Sequence, residues 1–569
     1  MKTKKEIKQH QKQKKILPKA SLNENSDRWK YFGGLAIILL ITFVAFAPSL
    51  RSGFLWDDEA YIQNNLLIRS INLKDIFSQL VGGNYHPMTI LVLAIQYHFY
   101  GLHEAGYHTV NLILHLANVI LVFYTISLLS KKVYVALVVA LLFGIHPLHV
   151  ESVAWAIELK DVLYTFFFLL SYIFYIKYST HKHIKYYIFA LILFLLSMLS
   201  KAMAASLPVV LLLTDYFMGR KFTWKTLLEK VPFFLIAIAI GLVAVFAQKH
   251  SGAIQNLSFT LPQRMVFACY GFVTYLHKFL LPIQLSAFYP YPIKTSGSIP
   301  FQYYLYVITL IVLIAATIYS LRFSKKVLFG IGFFAITIVL VLQILPVGGA
   351  IIADRYTYVP SIGIFFLFAE GIYLLWSKNF KIISGVVLAG FAIFFIFTTH
   401  DRCKIWNNKT DFWNDMISKY QTIPEAYYSR GVVFFDDKKF DQALPDFNKT
   451  IELNPNYVQA YINRGDIYLY ANKYEEALAD FNKAIQLRPD FELGYYNRGV
   501  VFYNQKKYKE ALTDYNKAIV LNPDYAQAFY SRGLAKYYVG MKDSACLDIK
   551  QASNLGYPTP ADAMKEICK

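Results

Sequence analysis

Eleven apolar windows, most of them approaching the length of a bilayer crossing, fill the first 400 residues and leave this chain little freedom of fold. They lie near 31–50, 108–130, 133–147, 160–178, 186–200, 203–218, 231–249, 301–321, 327–345, 361–376 and 382–399. A helix needs roughly 20 residues to cross the hydrocarbon, where every backbone group must find its partner within the protein. Composition agrees, since 56% of the 569 residues are hydrophobic and 17% aromatic, too apolar for an ordinary soluble chain. The expected fold is all-α: a polytopic membrane domain of about 11 helices over 31–400, followed by a soluble helical part.

Charge orients the spans. The formal net charge is +20, but the basic residues gather in the first thirty positions and in short segments between apolar runs, not along a groove with interleaved aromatics. That pattern argues against a nucleic-acid partner. Lys131-Lys132, Lys177 to Lys185, Gly219 to Lys230, Lys325-Lys326 and Lys378 to Lys381 all fall on the side of the basic tail, residues 1–30, which is the cytoplasmic side. Two stretches, 88–101 and 265–282, break this alternation if counted as crossings, so they are expected to lie at the outer interface. The first apolar run reads as an uncleaved anchor, because Pro48 follows the cleavage-like Ala45-Phe46-Ala47. A bacterial inner membrane with a periplasmic C-terminal part is the expected location, or the endoplasmic reticulum membrane in a eukaryote.

Beyond a linker at 401–423 a 34-residue period appears. Arg430-Gly431, Arg464-Gly465, Arg498-Gly499 and Arg532-Gly533 keep that step, as do Asp446, Asp480, Asp514 and Asp548, and Pro455, Pro489 and Pro523. The period resembles the tetratricopeptide repeat, in which Gly lets paired helices approach and Pro follows the second helix. Four repeats are expected over 424–559, with a tail at 560–569. Eleven crossings put them on the side opposite the N-terminus, where a Cys546–Cys568 bridge becomes reasonable; free thiols are the alternative.

The same face collects polar residues from separate loops. Asp57 and Asp58, in the first outer loop at 51–107, have no role in holding a membrane helix, and acids at a bilayer mouth usually serve chemistry or binding. His86, the segment His146-Pro-Leu-His149-Val-Glu151, Lys160-Asp161, Lys201 and Asp354-Arg355 join them. Cations retained outside against the orientation rule suggest an anionic partner such as phosphate, and Arg355 is the sharpest candidate. Each has a plainer reading. Asp57 caps a helix, His146 and His149 are structural rather than metal or phosphate ligands, Lys160 pairs with Asp161, and Lys201 reaches to the interface.

The runs Trp56-Asp57-Asp58, Tyr85-His86-Pro87, His108 through Asn111 to His115, His146-Pro-Leu-His149-Val-Glu151-Ser-Val, Leu199-Ser200-Lys201, and Ala353-Asp354-Arg355 with Tyr358-Val-Pro-Ser-Ile-Gly resemble the transmembrane and tetratricopeptide-repeat O-mannosyltransferases, GT-C type glycosyltransferases. The resemblance runs in order along nearly the whole chain beyond its leader. It implies transfer of a sugar, mannose in the family, from a polyprenyl-phosphate donor to a protein Ser/Thr hydroxyl or a glycan on the extracytoplasmic side. It implies Asp57 and Asp58 at the essential acidic position, as base or metal ligand, and Arg355 with Lys160, Lys201 and His86 toward the donor phosphate. His146, His149 and Glu151 are the candidates for a divalent metal or phosphate; no cofactor is required by the residues themselves. The chain departs from the family at His86, where Arg is usual, at Glu158-Leu159-Lys160-Asp161, where Gly-Arg-Ala-Asp is usual, and at Asp354, where Glu is usual. Asn463 and Asn497, before the repeated Arg, resemble an asparagine ladder for an acceptor polypeptide, interrupted by Ser429 and Ser531. The competing reading is a noncatalytic membrane-anchored repeat scaffold that assembles protein complexes. A transporter ranks below both, because no paired inverted halves are evident.

Overall fold

The computed structural model describes residues 24–252, 259–294 and 297–568. Most of the expected basic tail lies outside them, and the first helix, Glu24–Phe46, starts before the apolar run. Two units separate at residues 408 and 409.

In the first unit, six helices among the described residues are long and apolar enough to span: Phe32–Arg51, Glu104–Ser130, Ala156–His181, Trp224–His250, Gln302–Ser320 and Lys381–Lys404. A seventh crossing is formed if the pair Val133–Ile145 and Pro147–Ala154, bent by 54°, counts as one broken span. Three expected windows become shorter apolar helices, Ile184–Ser200, Ala202–Phe217 and Ser361–Ser377. The window at 327–345 holds the helix Lys325–Ile338 and then a single tight turn, Val339–Val341. The eleven windows therefore do not become eleven long, uninterrupted spans. The stretches assigned to the interface are helical too, as Pro87–Tyr100 and Leu261–Leu280; the second is long enough to span but fails on composition.

Burial ranks these helices. Ala156–His181 is central, with 72% of its apolar window buried inside the protein, whereas Gln302–Ser320 has 6% and turns Leu305, Ile308, Ile311 and Val312 outward. Helices have little hydrophobic reason to associate in lipid, so close packing and hydrogen bonds must hold them. At one crossing a Cβ added to Gly330 meets the Gly363 carbonyl at 2.7 Å, and only glycine permits Lys325–Ile338 and Ser361–Ser377 to approach so closely. A two-stranded antiparallel ribbon pairs Tyr289 with Ile352 and Pro290 with Ala350, fixing the chain just ahead of Asp354-Arg355.

The second unit is the repeat array. Its four helix pairs are Pro424–Asp436 with Phe440–Leu453, Val458–Tyr470 with Tyr474–Leu487, Glu492–Asn504 with Tyr508–Leu521, and Ala526–Tyr538 with Lys542–Asn554. The corner residues Lys438, Asn472, Lys506 and Gly540 repeat the same step, all with positive φ. Each repeated Arg forks onto the repeated Asp of its own pair and reaches back toward the N-terminus: Arg464 donates Nε and Nη2 to Asp480 and Nη1 to Asn448 Oδ1 at 2.7 Å in the repeat before, Arg498 and Arg532 copy the arrangement, and Arg430 reaches Asn414 just ahead of the array. The Arg thus ties neighbouring repeats as well as paired helices. The expected linker is partly ordered, since Lys409–Lys419 is a helix that buries Phe412, Trp413 and Met416. The tail holds the helix Ala561–Ile567, and Cys546 is bonded to Cys568, the pairing considered from sequence.

Candidate functional site

The loop expected at 51–107 is pinned around the acidic pair. Asp58 is fully buried and accepts the Leu55 N–H at 2.9 Å on one oxygen and the Ile157 N–H at 2.8 Å on the other. Trp155 donates its indole N–H to the Leu55 carbonyl at 3.2 Å, and Glu104 takes the Phe54 N–H at 3.1 Å. Trp56 sits at φ 52°, a conformation a bulky residue rarely adopts, and its ring stacks on Trp155 at 5.3 Å. Such a backbone is retained only where the surroundings over-determine it. The turn presents Asp57 half-buried, and its carboxylate makes no hydrogen bond or ion pair among the described residues. Burial raises the Asp57 pKa, while the nearby charges of Lys160 and Arg355 pull it down. Burial pushes the Asp58 carboxyl up to about 8, against the two N–H donors that favour its charged form. The neighbours therefore divide: Asp58 clamps the loop to the start of the central helix, and Asp57 is the uncommitted carboxylate. Beyond them, a cavity of about 550 Å³ in the same loop is lined by Asn64, Asn65, Asn72, Asp75 and Gln79 among others.

The expected phosphate-binding cations do converge, on Glu158. Lys160 Nζ lies 3.0 Å, Arg355 Nε 3.4 Å and Lys201 Nζ 3.5 Å from its carboxylate oxygens. Arg355 also pairs with Glu151, which accepts the Arg355 N–H at 3.0 Å, and Lys201 pairs with Asp161. Three cations thus stand against three buried acids, Glu151, Glu158 and Asp161. Lys160 pairs with Glu158, not with its sequence neighbour Asp161, and Lys201 is held inward rather than reaching to the interface. His86 is buried 5.5 Å from the Tyr61 ring, and burial with nearby Lys160 and Lys201 lowers its pKa to about 3. It is a neutral imidazole and adds no positive charge for a phosphate.

The histidines expected as metal ligands serve the broken span instead. His146 Nε2 contacts the Phe279 carbonyl at 3.1 Å and its Nδ1 accepts the Leu148 N–H, while His149 Nδ1 contacts the Phe143 carbonyl at 2.8 Å. Glu151 is committed to Arg355, and no group of three His, Cys, Asp or Glu side chains able to hold a metal occurs among the described residues. This set does not fit a resident metal. The helix Glu104–Ser130 carries a matching polar stripe of fully buried His108, Asn111, His115 and Asn118. Asn111 donates to the Trp155 and Ala156 carbonyls, Asn118 to the Val162 carbonyl, and His115 bonds the Gly144 carbonyl and the Tyr358 hydroxyl. Non-helical backbone at membrane depth is tolerated only when such partners are supplied. Asn118 and Glu158 are the residues that sequence reasoning missed. Spacing of 108, 111, 115 and 118 along one helical face was the available signal for Asn118.

In the repeats, Asn463 donates to the Tyr428 hydroxyl at 3.3 Å and Asn497 to Asp466 Oδ1 at 2.7 Å, each bond joining successive first helices.

Tetratricopeptide-repeat family models match residues 424–457, 447–479, 465–506 and 493–525. A protein O-mannosyl-transferase of Caenorhabditis elegans, F38B6.6, is 23% identical over 75% of this chain and 63% of its own length. Mouse protein O-mannosyl-transferase TMTC3 is 24% identical over 75% of this chain and 51% of its own. Human TMTC4, also named a protein O-mannosyl-transferase, is 31% identical over 26% of this chain and 23% of its own. The chain thus spans between half and two thirds of the length of the first two relatives. Among solved structures, that of MamA aligns with 25% of this chain and 84% of its own, at 22% identity and a TM-score of 0.24. The chain thus carries apolar helices ahead of a tetratricopeptide-repeat unit, and along three quarters of its sequence it is similar to proteins named protein O-mannosyl-transferases.

Proposed function

We propose that this protein is a membrane glycosyltransferase that moves a sugar, mannose by similarity to its relatives, from a polyprenyl phosphate to a Ser or Thr hydroxyl of a polypeptide on the extracytoplasmic side. The observation that carries the reading is the uncommitted, half-buried carboxylate of Asp57, held on a strained turn beside Lys160 and Arg355. In the reaction, the acceptor oxygen attacks the anomeric carbon, the bond from that carbon to the phosphate oxygen breaks, and the phosphate leaves with the electron pair. Asp57 takes the hydroxyl proton, and its raised pKa improves it as a base at neutral pH. Lys160 and Arg355 oppose the charge that builds on the departing phosphate. Their pairing with Glu158 and Glu151 keeps them oriented before the donor arrives. Asp58 acts through the loop, by fixing where Asp57 stands.

The repeats then present the acceptor polypeptide, with Asn463 and Asn497 as backbone contacts. The test is incubation of the purified protein in lipid nanodiscs with labelled polyprenyl-phosphate mannose and a Ser/Thr peptide. Peptide labelling that disappears in Asp57→Asn is the expected result. A protein that inserts and folds yet transfers no sugar from any polyprenyl-phosphate donor would favour the scaffold reading.

A further inference from the structure

The repeat array contains one carboxylate that its own symmetry does not explain. At the step of 34 residues, Asp466 occupies the position filled by Val432, Val500 and Leu534 in the other repeats. The repeated acids Asp446, Asp480, Asp514 and Asp548 are each gripped by an Arg fork. Asp466 is half-buried with no cation against it among the described residues, and one oxygen is held by the Asn497 amide at 2.7 Å. Burial alone pushes its carboxyl up to about 7. A buried carboxylate without a counter-charge is destabilising unless something supplies one. It lies where the first helices Val458–Tyr470 and Glu492–Asn504 meet, and the side-chain oxygens of Asn463 and Asn497 accept no hydrogen bond among the described residues. Carbonyl acceptors spaced along stacked helices suit the N–H groups of an extended chain, and stacked repeats commonly offer such a surface to polypeptides. A metal ion is a poor fit for a lone carboxylate, and no multi-ligand set occurs among the described residues.

We propose that Asp466, oriented by Asn497, is a cation-selective subsite that takes the side chain of a lysine or arginine in an extended polypeptide lying along the first helices of the repeats. The subsite rests on the reading that these repeats hold an acceptor polypeptide, and it adds a sequence preference to that role.

The test uses the full chain in nanodiscs and two fluorescent Gly/Ser/Thr peptides that differ only at their centre, one with Lys and one with norleucine. A charge-assisted hydrogen bond predicts that the Lys peptide binds about ten-fold more tightly at low salt, and that the difference shrinks as salt rises. Asp466→Asn keeps the size and a hydrogen-bonding group, and Asp466→Val copies the neighbouring repeats, so both should fold and lose the preference. Equal binding of the two peptides by the native protein, no binding of either, or a preference retained in both variants would overturn the subsite. The readout is binding, so its outcome is separate from sugar transfer. Transfer without a Lys preference defeats this inference alone, and a Lys preference without transfer defeats only the enzymatic reading.

Discussion

Asp57 and Asp58 are adjacent in sequence, yet the structure predicts opposite consequences for replacing them. Asp57→Asn removes a carboxylate that makes no hydrogen bond or ion pair among the described residues, so the loop should be unaffected. Loss of a general base lowers transfer by about 10²- to 10⁴-fold. Asp58→Asn offers one oxygen where two backbone donors, Leu55 N–H and Ile157 N–H, each hold their own. The other N–H is left facing an amide NH₂ in a fully buried position, at a cost of about 1–3 kcal/mol. Every 1.4 kcal/mol is ten-fold, so local opening of the loop should become roughly 5- to 150-fold more frequent. Hydrogen exchange read by mass spectrometry on peptides covering 52–60 and 155–159 measures this directly, alongside single-turnover transfer. Asp57→Asn should show native protection and lost transfer; Asp58→Asn should show lost protection, with transfer reduced as a consequence. Native transfer by Asp57→Asn refutes the base assignment, and native protection in Asp58→Asn refutes the clamp.

Three further outcomes follow from the repeats and the charge cluster. Gly465→Ala sets a methyl 2.6 Å from the buried Phe481 ring, and overpacking of about 1–3 kcal/mol should exceed the gain of up to about 1 kcal/mol in helix propensity; thermal unfolding of the repeats should shift down, and the shift should shrink when Phe481→Leu accompanies it. Asp466 keeps its proton to about 7 when folded but only to about 3.8 when unfolded, so the folded state binds more protons between those values and loses stability as pH rises through them. Asp466→Asn should therefore match the native protein near pH 4 and exceed it at pH 7.5, by about 1–2 kcal/mol once partial exposure is discounted; a pH-independent difference contradicts this. Arg355→Lys keeps the charge but loses the guanidinium's simultaneous reach from Nη1 to Glu151 and from Nε to Glu158, so transfer should fall more than ten-fold with little change in acceptor binding, which the two assays separate.

How much of this was legible in the sequence depends on what kind of signal each part leaves. The repeats were plain, because Arg464, Gly465, Asp480 and Pro489 recur at one step and each copy performs the same packing task. The membrane unit was legible as apolar windows, but not as continuous spans. Hydropathy does not register that Pro147 and the His146 ring interrupt one window, or that Val339–Val341 ends another as a tight turn. The cost of the first break is met elsewhere in the chain, by Asn111, His115 and Asn118 on a helix that looks merely apolar with polar exceptions.

Charge was the least legible property. Sequence placed Lys160, Lys201 and Arg355 on one face and read them as open to phosphate, whereas in the fold each meets a buried acid, with Glu158 between all three. In the sequence Glu158 stands only as a departure from the family's usual Gly-Arg-Ala-Asp run, and the local pair expected there is Lys160 with Asp161. Its burial turns it into the centre of the cluster, and any donor phosphate must reach these cations in competition with it. Replacing Glu158 by Gln would leave Lys160 and part of the Arg355 contact without a counter-anion, and a buried cation left unpaired is strongly disfavoured. The variant should then bind inorganic pyrophosphate, an anionic probe, more tightly than the native protein, with the gain abolished by Lys160→Met. If Glu158→Gln folds and its affinity for pyrophosphate does not rise, these cations are a structural knot and the phosphate is held elsewhere.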